Sequence, residues 1–241
     1  MKIFGIGDLH LPGRQDKPMN VFGAQWTDHP DRIAAQWRRI VGEGDLVLMP
    51  GDLSWAMTLN EAADDLAYLG ALPGRIVLIR GNHDYWWEGI GKVRQALPPN
   101  VVALQNDFVP LGEGWAICGT RGWDLPGAEG HSEVDDRVFR RELIRLELSL
   151  QAAVKQGLKP FAVMLHYPPA WRSGMPTAFT QLLEKHGVQL CVYGHLHGDG
   201  IHKGIVGEHR GVTYRLVSCD AIGFAPRLVG RVVRGVPEPA K

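Results

Sequence analysis

Lys2-Ile3-Phe4-Gly5-Ile6-Gly7-Asp8-Leu9-His10 opens the chain with a short apolar run that stops at a glycine, an aspartate and a histidine. The pattern returns along the sequence. Leu46–Met49 is followed by Gly51-Asp52, and Arg75–Ile79 by Arg80-Gly81-Asn82-His83-Asp84. Phe161–Leu165 is followed by His166, and Leu190–Tyr193 by Gly194-His195-Leu196-His197. Short runs rich in Val, Ile and Leu read as strands. Helical spacing of apolar residues appears between them, over Asp31–Ile40, Glu61–Leu69, Gly91–Leu97, Glu133–Gln156 and Thr177–His186. Strands alternating with helices predict an α/β fold. In open α/β sheets the carboxyl ends of strands share one crevice, so all these polar endings are expected to converge there.

Between Val101 and Trp123 the helical spacing disappears. Val101–Leu104, Phe108–Leu111 and Trp115–Cys118 read as strands joined by turns, a hairpin or meander. Val212–Ser218 and Leu228–Val233 extend the β content. No repeat, linker or low-complexity stretch divides the chain, which predicts a single domain over residues 1–241.

The 241 residues are 45% hydrophobic and 22% charged, which excludes a disordered tail, a collagenous repeat and a small disulfide scaffold. Lys plus Arg equals Asp plus Glu, 26 each, so nucleic acid is not an expected partner. No apolar stretch approaches the ~18 residues of a spanning helix, and the N-terminal apolar run is too short for a signal peptide. Cys118, Cys191 and Cys219 are odd in number and two lie in apolar runs, as buried thiols would. The expectation is a soluble, cytoplasmic protein without a membrane partner.

Taken alone, each polar ending has a plain alternative. Gly-Asp and Gly-Asn-His-Asp are common turns, and an isolated histidine such as His166 is most often a core hydrogen-bonder. Five of them in succession, each after a strand, point to a metal site. Asp8 and His10 are two residues apart, as are His195 and His197, so in extended segments each pair projects to one side. The donors are carboxylate, imidazole and carboxamide without thiolate, which suits Mn²⁺, Fe²⁺/Fe³⁺ or Zn²⁺.

Asp-x-His, Gly-Asp, Gly-Asn-His-Asp, His and Gly-His-x-His in this order resemble the calcineurin-like metallophosphoesterase superfamily, with the match running from Asp8 to His197. The resemblance implies a four-layer α-β-β-α sandwich of two mixed sheets and a site for two divalent metal ions. It assigns Asp8, His10, Asp52 and His197 to one ion, and Asp52, Asn82, His166 and His195 to the other, with Asp52 bridging. His83 takes the place of a histidine that faces the leaving group, and Asp84 the acidic position beside it that orients it. The implied activity is hydrolysis of a phosphate monoester or diester of a small molecule, a nucleotide among the candidates, by attack of metal-bound hydroxide. Cyclic-nucleotide phosphodiesterase and nuclease are alternatives; a non-catalytic scaffold would have lost ligands, and every position here is filled.

Gly51-Asp52-Leu53-Ser54-Trp55 carries Trp55 where the Ser/Thr protein phosphatases of this superfamily have a second aspartate, which weighs against their activity. Gly194-His195-Leu196-His197 is more similar to the bacterial and archaeal phosphodiesterase branches. Trp55 and Gly119-Thr120-Arg121-Gly122-Trp123 resemble bacterial members described only as phosphohydrolases. Trp55 and Arg121 are candidate substrate contacts, through stacking and through a bidentate guanidinium. Trp86, Trp87 and Trp171 also follow the polar endings closely. His29, His131, His186, His202 and His209 carry no assigned role and read as surface or loop residues.

Overall fold

Along β2 (Leu46–Met49), Leu46 and Leu48 point one way and Val47 and Met49 the other, yet all four are buried. A strand that buries both faces must be covered on both sides, and this two-sided burial organises the molecule. In the computed structural model, which describes residues 1–241 except Asp16, Glu129 and Lys241, twelve strands form two six-stranded sheets. The first sheet runs in the order β12 (Val236–Pro239), β11 (Arg227–Val233), β1 (Lys2–Gly5), β2, β3 (Arg75–Leu78), β4 (Val101–Ala103). The second runs β5 (Val109–Pro110), β6 (Trp115–Thr120), β7 (Lys159–Leu165), β8 (Leu190–Tyr193), β10 (Val212–Leu216), β9 (Gly207–His209). Each sheet is mixed. Strands β1 to β4 are parallel with β11 and β12 antiparallel at one edge; β6, β7, β8 and β10 are parallel with an antiparallel strand at either edge.

Three apolar layers follow. Helices α1 (His29–Ile40), α2 (Ala63–Gly70) and α3 (Ile90–Ala96) lay Ile33, Trp37, Leu66 and Val93 against Phe4, Val47 and Leu78. Helices α4 (Glu133–Lys155) and α5 (Ala178–Lys185) lay Leu146, Leu150 and Phe179 against Val163, Leu165 and Cys191. Between the sheets, Ile3, Leu48 and Val77 meet Phe161, Met164 and Val192. The result is the four-layer α-β-β-α sandwich. Both helices of the second face start at a capping box, Ser132 with Asp135 and Thr177 with Thr180, which satisfies their first free N–H groups.

The expected meander is divided between the sheets. Val101–Ala103 pairs in parallel with β3, and only β5 and β6 form a hairpin, because the chain crosses from one sheet to the other over Gln105–Asp107, with Asn106 in the left-handed region. Strands β9 and β12 were not legible: their residues are largely exposed and polar or proline-bearing, so they carry no apolar run. Cys118, Cys191 and Cys219 are free and buried, and burial pushes the Cys118 thiol up to about 12. No helix among the described residues is long and apolar enough to cross a membrane.

Phe161 is fully buried between the two sheets. Phe161→Ala is expected to cost about 3–5 kcal/mol, read as a lower midpoint in urea unfolding; a loss below about 1 kcal/mol would show that the inter-sheet layer is not close-packed.

Candidate metal centre

The two sheets are stitched together where their parallel strands end. Gly7 N–H donates to Val217 O (2.8 Å) and Cys219 N–H to Gly7 O (3.0 Å), forming a bridge between Gly7 and Ser218. Asp8 N–H donates to Gly51 O (2.9 Å) and His10 N–H to Asp52 O (3.1 Å), so the loops after β1 and β2 run side by side. Gly194 N–H donates to His166 O (3.1 Å), which joins the loops after β7 and β8.

Asp8, His10, Asp52 and His195 all sit in the left-handed backbone region, at φ of 57°, 47°, 52° and 71°. Non-glycine residues rarely adopt it, and such strain concentrates at functional sites. It also corrects the expectation that Asp8/His10 and His195/His197 converge by lying in extended segments. Both Asp8 and His10, and His195 of the second pair, are turned left-handed, and the chain coils around the site instead. Glycine is required where the backbone comes closest: a Cβ on Gly194 would stand 3.2 Å from Asp8 Cγ and overlap its carboxylate oxygen.

All seven residues expected as ligands are brought together. His10 Nε2 lies 3.4 Å from His197 Nε2, and His197 Nε2 lies 3.4 Å from Asp8 Oδ1. Asn82 Oδ1 lies 2.6 Å from His166 Nε2 and 3.0 Å from His195 Nδ1. Asp52 Oδ2 stands between the two groups, 3.8 Å from His10 Nε2 and 3.5 Å from His166 Nε2. Lone-pair atoms of Asp8, His10 and His197, and of Asp8, Asp52 and His166, lie close enough together to hold an ion.

The electrostatics fit cations. Burial, with the Asp84 and Asp8 carboxylates nearby, pushes the Asp52 pKa well up. Burial pulls the His166 imidazole down to about 3 and His195 to about 4, so both are neutral donors at physiological pH. Burial opposes protonation of His197 as well, but its bonds to Asp220 and Asp8 outweigh it and push its pKa up to about 10. A pocket that crowds carboxylates and imidazoles with their lone pairs facing inward is relieved by divalent cations, which favour ionised carboxylates and neutral rings.

Asp84 departs from its expected place. Its buried carboxylate accepts from the backbone N–H of Gly81 (2.7 Å), Asp52 (2.9 Å), Leu53 (2.9 Å) and Ser54 (3.3 Å) and from Trp86 Nε1 (2.9 Å). Those donors occupy it, and it does not orient the His83 ring, whose Nδ1 has no partner among the described residues. Asp84 is a positioning residue for the Asp52 loop. His83 itself lines the cavity beside His10, while its backbone N–H donates to Asp52 Oδ1 at 2.8 Å. Burial lowers the pKa of its ring.

Trp55 lies at the site, stacked on His10 at 4.8 Å between centroids. Arg121 does not line that cavity: its guanidinium lies over Trp123 (4.4 Å) and 3.8 Å from the buried Glu142 carboxylate. The phosphate contact expected of it at the metal site is therefore withdrawn. Trp86 and Trp87 are core residues.

Three supporting residues escaped the sequence reading. Asp220 accepts from the His197 ring (Nδ1 to Oδ1, 2.9 Å) and from Gly198 N–H (3.1 Å), the outer support that orients a ligating imidazole. Its signal was present, since Asp220 also follows a strand, though without an adjacent glycine or histidine. Trp26 lines the cavity, its ring 5.8 Å from that of His197. His29, read as a surface residue, is buried, with Nε2 2.8 Å from Leu9 O and Nδ1 3.1 Å from Trp26 O. It props the Asp8–His10 turn from behind.

A family model for calcineurin-like phosphoesterases matches residues 1–199. The chain belongs to the calcineurin-like phosphoesterase family. Among solved structures, this calcineurin-like chain is similar in fold to a protein of unknown function from Aquifex aeolicus (15% identity, 94% of each chain covered, TM-score 0.53). It is also similar to the phosphopantetheinyl hydrolase of Mycobacterium tuberculosis (12% identity, 99% of this chain and 95% of that one, TM-score 0.53). No functionally curated protein matches it significantly. Asp220 lies beyond the matched residues, so the support of His197 comes from outside the span that defines the family here.

Asp84→Ala removes the acceptor of four backbone N–H groups in a dry interior. It is expected to destabilise the protein by at least about 3 kcal/mol in chemical denaturation, and a near-neutral result would show that water replaces the carboxylate.

Proposed function

We propose that this chain is a dinuclear metal-dependent hydrolase of a small phosphate ester, monoester or diester, with a nucleotide among the candidate substrates. The observation that carries the reading is the position of Asp52 Oδ2, 3.8 Å from His10 Nε2 and 3.5 Å from His166 Nε2, where one carboxylate can serve both donor groups. Asp8, His10, Asp52 and His197 would hold one ion, and Asp52, Asn82, His166 and His195 the other. Two divalent ions so held would supply Lewis acidity toward the phosphoryl oxygens and lower the pKa of a bound water toward neutrality. Imidazole, carboxylate and carboxamide donors suit Mn²⁺, iron or Zn²⁺.

His83 supplies the remaining chemistry. It lines the same cavity as His10 and His197, and its buried Nδ1 lacks a partner among the described residues. Burial lowers its pKa, so the neutral ring prevails near neutral pH and the protonated form that can donate to a leaving oxygen grows as the pH falls. The cavity, about 320 Å³, is walled by Met19, Phe22, Trp26 and Trp55. Those walls favour a leaving group with a flat or apolar part over the sugar–phosphate track of a nucleic acid. Three free, buried cysteines suit a cytoplasmic setting.

Protein loaded in turn with Mn²⁺, Fe²⁺ and Zn²⁺ is expected to hydrolyse p-nitrophenyl phosphate or bis(p-nitrophenyl) phosphate, and inactivity on both with every metal would overturn the reading. Asp52→Ala is expected to bind neither ion fully by elemental analysis; two full equivalents would remove the bridge. His83→Ala is expected to keep its metal and lose about 10²–10⁴-fold in kcat, so an unchanged kcat would remove His83 from proton transfer.

A further inference from the structure

A second cavity, about 270 Å³, lies where β3, β6 and α4 meet, and four guanidiniums line it: Arg80, Arg121, Arg141 and Arg145. Only two acids, Glu88 and Glu142, share its wall. Glu88 is engaged by Lys92 at 2.6 Å. Glu142 is fully buried and serves several donors at once, accepting from Thr120 Oγ1 (2.6 Å) and Arg145 Nη1 (3.0 Å), with Arg141 Nε at 3.7 Å and Arg121 Nη2 at 3.8 Å. Arg80 has no ion-pair partner among the described residues. The Nε atoms of Arg80 and Arg121 are buried and lack hydrogen-bond acceptors among the described residues.

Buried guanidinium N–H groups without acceptors are rare, and the two arginines that carry them stand with two more in the wall of one concave, positively charged site. The planar fork of arginine matches an oxyanion that can accept two parallel bonds. We infer that this cavity binds a phosphate-type oxyanion, either free phosphate or a second phosphate group on the substrate. A tetrahedral phosphate offers enough acceptor oxygens to satisfy converging guanidiniums that the single Glu142 carboxylate cannot. The cavity is not the aromatic-walled one beside His83, and it shares no lining residue with it. It is nonetheless built on the segments that carry two proposed ligands. Arg80 precedes Gly81-Asn82, and the Arg121 carbonyl accepts the N–H groups of His166 (2.8 Å) and Tyr167 (3.0 Å). Anion binding itself does not depend on catalysis; its assignment to a second substrate phosphate rests on the proposed hydrolase reading.

Calorimetric titration of the metal-loaded full chain with inorganic phosphate tests it. The number of phosphate sites is expected to fall by one in Arg141→Gln/Arg145→Gln, or that site to weaken at least about tenfold, the loss of one charge-assisted bond. The same count and affinity in wild type and variant would overturn the inference. If the double variant unfolds because Glu142 loses Arg145, the half-exposed Arg141→Glu alone is read in the same way. Adenosine 3′,5′-bisphosphate separates the two sources. Tighter binding than the 5′-monophosphate in wild type, abolished in the variant, assigns the site to a second substrate phosphate. An equal affinity for both nucleotides, with inorganic phosphate still bound, assigns it to the free anion.

Discussion

One buried carboxylate holds the centre of this molecule together. Asp84 reaches from the loop after β3 and gathers the backbone N–H groups of Asp52, Leu53 and Ser54 from the loop after β2, along with Gly81 from its own. Burial drives its pKa upward while those N–H groups favour the charged form, so the ion persists only as long as both loops are in place. That mutual dependence sets the position of Asp52, whose Oδ1 accepts the His83 N–H while Oδ2 faces His10 and His166. Everything the site can do chemically passes through that loop pair.

The same economy appears around the other proposed ligands. His166 Nδ1 lies 2.9 Å from Pro50 O, so a proposed ligand from the second sheet is oriented by the backbone of the first. His195 N–H donates to the Asp8 carboxylate at 3.0 Å, crossing the sheets in the opposite sense. His10 packs in a cluster of rings, stacked on Trp55 with His83 and Trp26 edge-on. These are the supports that keep a ligating side chain within the narrow tolerance metal binding requires. They also explain why the tryptophans gather here: Trp86 anchors Asp84, and Trp55 backs His10 while walling the cavity.

What was readable in advance was whatever a strand's end announces. Asp8, His10, Asp52, Asn82, His166, His195 and His197 each terminate an apolar run, and topology delivers such ends to one crevice. Residues whose role depends on what packs against them were less legible. Asp84 looked like a partner for His83 because it is the next residue, yet neighbours in a tight turn point apart. Arg121 follows a strand too, but its guanidinium lies against Trp123 and the acid buried on α4 instead of turning to the metal side. His29 read as a loop residue because α1 begins there, and only the fold shows the ring buried beneath Leu9. The division of β4 from β5 and β6 was hidden for a related reason: sequence proximity does not reveal which sheet an edge strand joins.

Strand β1 delivers Asp8 and His10, yet of its two neighbours one, β11, comes from residues 227–233. The Gly7–Ser218 bridge and the Asp220 support of His197 also lie late in the chain. The proposed ligands Asp8 and His10 are thus fixed by residues 218–233. During synthesis Asp8 and His10 emerge before β10 and β11 and lack those neighbours until the later strands arrive. Loop closure over such a separation is slow, so assembly of the centre is expected to be the closing event of folding, coupled to completion of both sheets.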